Sequence, residues 1–266
     1  MRQVTELVVA VVLAAGVAAS QVTPAARAEC FILTQPGARP YVSDARECAF
    51  TTSPASTFKI PHALIALDTG VVTADEAVKW DGGEVAYESW RRDHTLATAI
   101  QWSVVPYFQR TARLIGPDRM RRGLAMLHYA DDSFERKIDE FWLDGDLVVS
   151  PEEQVAFLGR LLRGTLPLAR AHMSTVLEAM RMPRHEVLMA SGAHPFALTW
   201  PDSIVVRAKT GNTTVAGERV SWLVGALELE GRQHVFAARV RSNGALPSSA
   251  GADLALRELN ARRPGR

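Results

Sequence analysis

Strand-type runs lie near both ends of the chain, and helix-type runs fill its middle. The stretch from Cys30 to about Phe50, with PGARP at its centre, reads as strand, turn, strand. SPASTFKIPHALIALDTG opens on Ser and Pro, turns apolar at helical spacing and stops at Gly70, which predicts a helix with a defined end. From about Thr73 to Ala190 the signals are mostly helical: LATAIQWSVVPYFQRTARLIG, RMRRGLAMLHYA, SPEEQVAFLGRLLRG and ARAHMSTVLEAMRM. Ser150 and Glu153 have capping-box spacing at the start of one of these. The last third returns to short β-type runs, SIVVRAKTG, RVSWLVGALELEG and RQHVFAARVRS, and GADLALRELNARR closes as a helix. This order predicts an α/β chain of the α+β type. One antiparallel sheet is built from both chain ends, a helical subdomain at about 73–190 is inserted, and the cleft between them is the place for a site. The segment MRMPRHEVLMASGAHPFALTWPDSIVVRAKTG has room for an extra hairpin beside that cleft. No internal repeat is visible.

The first residues change the picture. Leu7 to Ala19 is an uncharged apolar run, short for a membrane span, and Ala26-Arg27-Ala28 follows it as an A-x-A cleavage pattern. Residues 1–28 are read as a signal peptide and 29–266 as the mature domain, exported to the periplasm of a Gram-negative bacterium. Glu29 before Cys30 does not fit a lipoprotein signal, and no stable membrane anchor is expected. Without residues 1–28, which hold Arg2, Arg27 and Glu6, the 30 basic and 29 acidic side chains fall to 28 of each. That balance offers no electrostatic footprint for nucleic acid or anionic lipid, so a local site must carry the function. Cys30 and Cys48 flank the expected hairpin, and in an oxidising compartment they predict a disulfide worth roughly 3 kcal/mol.

Only four lysines occur, Lys59, Lys79, Lys137 and Lys209, and arginine supplies the other basic side chains. A buried lysine can lose its proton and act as a base, whereas arginine cannot. Ser56-Thr57-Phe58-Lys59 is an S-x-x-K at a helix start, where residues i and i+3 share a face and free N–H groups can steady a developing anion. Alone it means little, because a chain of this length holds roughly one such tetrapeptide by chance. A helix cap followed by a surface lysine is the blander reading. Lys209-Thr210-Gly211 is rarer, and closes a strand-type run: Gly211 leaves room for a ligand, and Lys209 and Thr210 offer a cation and a hydroxyl. An ordinary strand end is about as good an account of it in isolation.

Together, with Ser103-Val104-Val105 placed on a helix between them, these elements resemble the penicillin-recognising serine transferases and hydrolases. The finer resemblance is to the class D, or oxacillinase, β-lactamases: PASTFKIPHALIALDTG is similar to their nucleophile segment, Tyr129-Ala130-Asp131 stands where they have Y-G-N, and FWLDG holds Trp142. The resemblance runs through the whole mature chain and implies a β-lactamase/transpeptidase-like fold and hydrolysis of small-molecule β-lactams. It implies that Ser56 is acylated and that Lys59, as N6-carboxylysine formed from CO2 or bicarbonate, is the general base. Ser103 then passes a proton to the leaving nitrogen, and the backbone N–H groups of Ser56 and Asn212 form an oxyanion hole. Lys209, Thr210, Gly211, Val105, Tyr129 and Trp142 are implied around the substrate, with Phe58, Val105 and Trp142 keeping the carbamate dry. No metal or other cofactor is implied.

Two departures stand out. Ala130 and Asp131 replace Gly and Asn of Y-G-N. The family's carboxylate-binding arginine after the last strand is missing from SNGALPSSAGADLALRE, which offers Ser248, Ser249 and Asp253, while Arg241 and Arg257 lie off that position. Other hydrolase signatures fail: there is no G-x-S-x-G, His185-Glu186 lacks the second histidine of H-E-x-x-H, and no glycine-rich phosphate loop or metal-ligand spacing appears. The competing readings on the same scaffold are a β-lactam-binding sensor or slow-turnover penicillin-binding protein, which acylates without clearing, and a cell-wall peptidase. Ser103-x-Val105, Trp142 and the lack of an expected anchor argue for the enzyme.

Overall fold

The computed structural model describes residues 27–35, 37–130, 134–135 and 137–263. In chain order the elements are β1 (Arg27–Thr34), β2 (Tyr41–Val42), α1 (Ala45–Ala49), α2 (Lys59–Asp68), α3 (Leu96–Gln101), α4 (Val105–Ile115), α5 (Pro117–Leu127), α6 (Pro151–Leu162), α7 (Arg170–Ala179), β3 (Glu186–Met189), β4 (Gly192–Pro195), β5 (Val205–Val215), β6 (Glu218–Leu229), β7 (Arg232–Ser242) and α8 (Ala250–Ala261). Five strands form one antiparallel sheet in the order β2-β1-β7-β6-β5, so the N-terminal strands pair against the last strand of the C-terminal meander. The leader expected at residues 1–28 lies outside the described residues except for Arg27 and Ala28, which pair with Ser242 and Arg241 at the start of β1.

The sheet is covered on both faces, which explains why its strands read as nearly continuous apolar runs. Phe31, Leu33, Leu223, Leu227, Phe236, Ala238 and Val240 face α8, against Leu254, Ala255 and Leu259. Their alternating neighbours Cys30, Ile32, Trp222, Val224, Val235 and Ala237 face the helical half. At the centre of that half lies α2, buried from Lys59 through Leu67. A helix apolar all round must sit inside a core, and here its neighbours are α4, α5 and α7. The Ser150 capping box is formed, with Glu153 N–H donating to Ser150 Oγ at 3.2 Å and Ser150 N–H to Glu153 Oε2 at 2.7 Å.

Three local expectations are corrected. The hairpin closes only at Ile32–Val42 and Leu33–Tyr41, and Cys48 stands on α1 rather than on a second strand. The Asp44 carboxylate accepts from Arg46 N–H at 2.9 Å and Glu47 N–H at 3.0 Å, so DAREC is a capped helix start. The disulfide forms nonetheless, because α1 folds back until the Cα atoms of Cys30 and Cys48 are 5.1 Å apart. Second, Ser103 is not helical. It lies between α3 and α4 with φ +56°, because Pro106 in the first turn of α4 disfavours a continuous helix through the residues before it. Third, α2 is preceded by a separate 3₁₀ turn, Ala55–Phe58, so Ser56 and Lys59 are on consecutive elements.

Opening the Cys30–Cys48 bridge with Cys48→Ser is expected to cost about 3 kcal/mol, seen as a lower urea midpoint of unfolding. An unchanged midpoint would mean that α1 is held by other contacts, such as the Arg241 ion pair to Glu47 at 2.7 Å.

Candidate active site

The 3₁₀ turn presents Ser56 at the floor of a cleft lined also by Tyr87, Trp90, Ser103, Val105, Leu143, Met189, Ala190, Ser191, Thr210, Gly211, Asn212 and Ser248. The turn is anchored from behind. Thr57 Oγ1 donates to Pro54 O at 2.7 Å, Gln154 Nε2 donates to Thr57 Oγ1 at 2.7 Å, and Trp222 Nε1 donates to Ser53 O at 3.1 Å. Ala55, just before Ser56, has φ +49°, a left-handed conformation costly for alanine that the surrounding bonds hold in place.

Lys59, the first residue of buried α2, is inaccessible to solvent, and its Nζ donates to Ser56 Oγ at 2.7 Å. Burial, followed by the nearby Lys209 charge, holds its amine well below the ordinary lysine pKa, so the neutral form is favoured. Its surroundings are aromatic. Nζ is 5.4 Å from the Phe108 ring centroid, Phe108 packs edge-on to His62 at 5.0 Å, and His62 packs edge-on to Trp142 at 5.5 Å. Phe58 stacks on Trp142 at 5.5 Å. Burial also pushes His62 down to about 3, so it stays neutral. Trp142 is fully buried, and its Nε1–H has no hydrogen-bond partner among the described residues. A buried donor without an acceptor is costly.

The opposite wall comes from β5. Lys209 is also fully buried; its Nζ donates to Ser103 Oγ at 3.0 Å, Thr210 O at 2.9 Å and Thr210 Oγ1 at 3.3 Å. Burial lowers it to about 7. The bent backbone at Ser103, not a helix face, aims its hydroxyl at this lysine. Because β5 is an edge strand in unbroken register with β6, alternate backbone groups point away from the sheet. Ala208 N–H shows the phase, donating outward to Met180 O at 2.9 Å. Asn212, four residues on, turns its N–H to the same free side, and Asn212 lines the cleft. A Cβ at Gly211 would lie 3.0 Å from Pro54 O and 3.1 Å from Thr57 N. The glycine therefore serves first to let β5 lie against the nucleophile turn, rather than only to admit a ligand as its sequence context implied.

Not every expected residue reaches the cleft. Tyr129, assigned to substrate contact, is 1% exposed and packs instead on Phe58 at 6.0 Å and Phe157 at 4.9 Å. Trp142 is likewise behind the cleft wall. Ala130 takes φ +58°, a conformation in which alanine costs about 1 kcal/mol; Asp131 lies outside the described residues. Arg241 is engaged by Glu47 and Glu218, and Arg257 by Glu29 and Glu258, so neither stands in for the missing arginine. Among the described residues no arginine lines the cleft; the buried Lys209, bonded to the lining residues Ser103 and Thr210, is the cation behind its wall, and Ser248 is what the post-β7 loop contributes. Tyr87, Trp90 and Leu143 also line the cleft, and nothing in their spacing along the sequence marks them.

Residues 23–258 match the family model of the penicillin-binding protein transpeptidase domain. Among curated proteins, β-lactamase OXA-48 of Klebsiella pneumoniae is 38% identical over 202 residues, covering 76% of this chain and 69% of that one. Among solved structures, the class D β-lactamase YbXI from Nostoc superposes with a TM-score of 0.77 at 28% identity, covering 88% of this chain and 93% of that one. The C-terminal domain of the Bacillus licheniformis BlaR penicillin receptor superposes with a TM-score of 0.78 at 26% identity, covering 88% and 90%. With a serine–lysine pair at hydrogen-bond distance, a second lysine on the opposing strand and a match along nearly the whole described chain, this protein belongs to the class D serine β-lactamase family.

Proposed function

We propose that the protein hydrolyses β-lactams through an acyl-enzyme on Ser56, with Lys59 carboxylated in the working state. The observation that carries this reading is the 2.7 Å contact between Lys59 Nζ and Ser56 Oγ in a fully buried setting that favours the neutral amine. Carbamate formation needs a neutral amine, and the unpartnered Trp142 Nε1–H is a ready donor to a carbamate oxygen. A carbamate there supplies an anionic oxygen as general base for acylation and again for the deacylating water. Ser56 Oγ attacks the lactam carbonyl, and the Ser56 and Asn212 N–H groups face the oxyanion that develops. The lactam C–N bond breaks as the Ser103 hydroxyl gives its proton to the nitrogen, and Lys209, donating to Ser103 Oγ, resupplies it. Lys209 also attracts the substrate carboxylate, with the Thr210 and Ser248 hydroxyls as the neutral partners at hand.

Export to the periplasm belongs to this proposal. It rests on the apolar run Leu7 to Ala19, the A-x-A pattern that follows and the Cys30–Cys48 disulfide. A second reading, a lactam sensor that stays acylated, draws on the likeness to the BlaR receptor domain. Mass spectrometry of the protein mixed with benzylpenicillin separates the two. An adduct on Ser56 that appears and then clears as product accumulates is expected; a persistent adduct would establish the sensor, and no adduct would overturn both.

The pH profile carries its own expectation. As pH falls the Lys59 carbamate is lost to CO2 and a protonated amine, which removes the base, and deprotonating Lys209 as pH rises through about 7 weakens carboxylate attraction and the proton supply to Ser103. The free-enzyme kcat/KM should therefore be bell-shaped, with an alkaline limb near 7 that Lys209→Arg moves upward.

A further inference from the structure

The β3–β4 hairpin is separate from the five-stranded sheet, and Met189, Ala190 and Ser191 at its tip line the cleft together with Tyr87, Trp90 and Leu143. It is fixed at three places. On the helical side, Ser89 Oγ donates to Ala190 O at 2.7 Å, directly at the turn. On the other side, His194 Nε2 lies 2.8 Å from Asp253 Oδ1 in the first turn of α8, and Ser249 Oγ holds the other oxygen of Asp253 at 2.8 Å. At its root, Val187 and Leu188 are buried with Phe196, Leu198 and Trp200. The cleft below has a volume of about 140 Å³. Sites for drug-sized ligands run to roughly 300–1,000 Å³.

Resting on the lactamase reading, we infer that the β3–β4 hairpin is a fixed roof that sets substrate choice. It admits bicyclic lactams with a small substituent beside the reactive carbonyl and turns away those with a branched aryl side chain. The reacting end of the ligand is governed by Ser56, Ser103 and β5, which are unaffected by the roof. The side chain of the ligand, by contrast, must pass between the turn of the hairpin and Tyr87 and Trp90. The bond from Ser89 to Ala190 closes that passage, and the link from His194 to Asp253 keeps the hairpin from swinging outward. Ser89 and His194 are thus positioning residues that act through the roof.

The test compares kcat/KM for two penicillins with the same nucleus, one with a free 6-amino group and one with a 2,6-dimethoxyphenyl side chain. In the double variant Ser89→Ala, His194→Ala, the bulky lactam should gain about tenfold while the compact one changes less than about twofold. An unchanged ratio in a variant with normal thermal unfolding would overturn the roof. Should the double variant not fold, the single variants Ser89→Ala and His194→Ala carry the same comparison: a raised ratio supports the roof, and an unchanged ratio in a folded single variant overturns it. If the unaltered protein turns over no lactam, the hydrolytic reading fails by itself. The rates of adduct formation on Ser56 with the same two penicillins then read the roof in the same way.

Discussion

Ser56→Ala is expected to leave a folded protein that forms no covalent adduct with benzylpenicillin and turns it over about 10⁴-fold more slowly or worse. The size of the effect follows from the site. The described chain has no free cysteine, and Ser56 is the hydroxyl that a buried lysine amine contacts on the cleft floor. Ser103, the other serine bonded to a lysine, takes its hydrogen bond from Lys209 and stands off the turn that, with Asn212 on β5, would hold the oxyanion. The substitution removes one oxygen from a residue 7% exposed and breaks none of the bonds that hold the turn through Ser53, Thr57 and Gln154. Thermal unfolding should therefore be close to normal. An adduct surviving in this variant would reassign the nucleophile.

Lys59→Ala should lose both half-reactions, with turnover down by about 10³-fold or more, because a positioned general base contributes roughly 10²–10⁴-fold and is needed twice here. This change also opens a cavity at the start of α2, so the milder Trp142→Phe separates chemistry from packing. It keeps an aromatic ring beside Phe58 and removes the N–H that lacks a partner, at the cost of a smaller void than the alanine leaves, so thermal unfolding is measured alongside. If that N–H steadies a carbamate, Trp142→Phe should slow deacylation and make the rate strongly dependent on added bicarbonate. Normal burst kinetics in Lys59→Ala would move the base elsewhere. A rate indifferent to CO2 removal in both the unaltered protein and Trp142→Phe would leave the uncarboxylated amine as the base.

Much of this site was legible in the chain. Ser56, Lys59, Ser103 and Lys209 stand out by motif and the structure brings them into two bonded pairs, and helices α2, α6 and α8 follow from apolar spacing and end signals. The misreadings share a cause. The spacing around PGARP fits a hairpin and so puts Cys48 on a strand, whereas the Asp44 cap turns the backbone two residues after the pairing ends. Ser103 was placed on a helix because LATAIQWSVVPYFQ is periodic throughout; the proline that breaks it was visible, but the positive φ that aims the hydroxyl was not. The motif points Tyr129 at the substrate, while the structure turns its ring into the aromatic layer around Phe58.

By itself the sequence determined the layered α+β plan, the order of elements and the chemically able residues, because periodicity, caps and residue type are local properties. Tertiary structure alone decided their environments. It buried two lysines so that burial lowers both pKa values, and it left Trp142 Nε1–H without a partner. It also engaged Arg241 and Arg257 elsewhere and brought the turn of the β3–β4 hairpin into the lining of the cleft. Desolvation, pairing and enclosure depend on which distant segments meet, and no window of the chain contains that information.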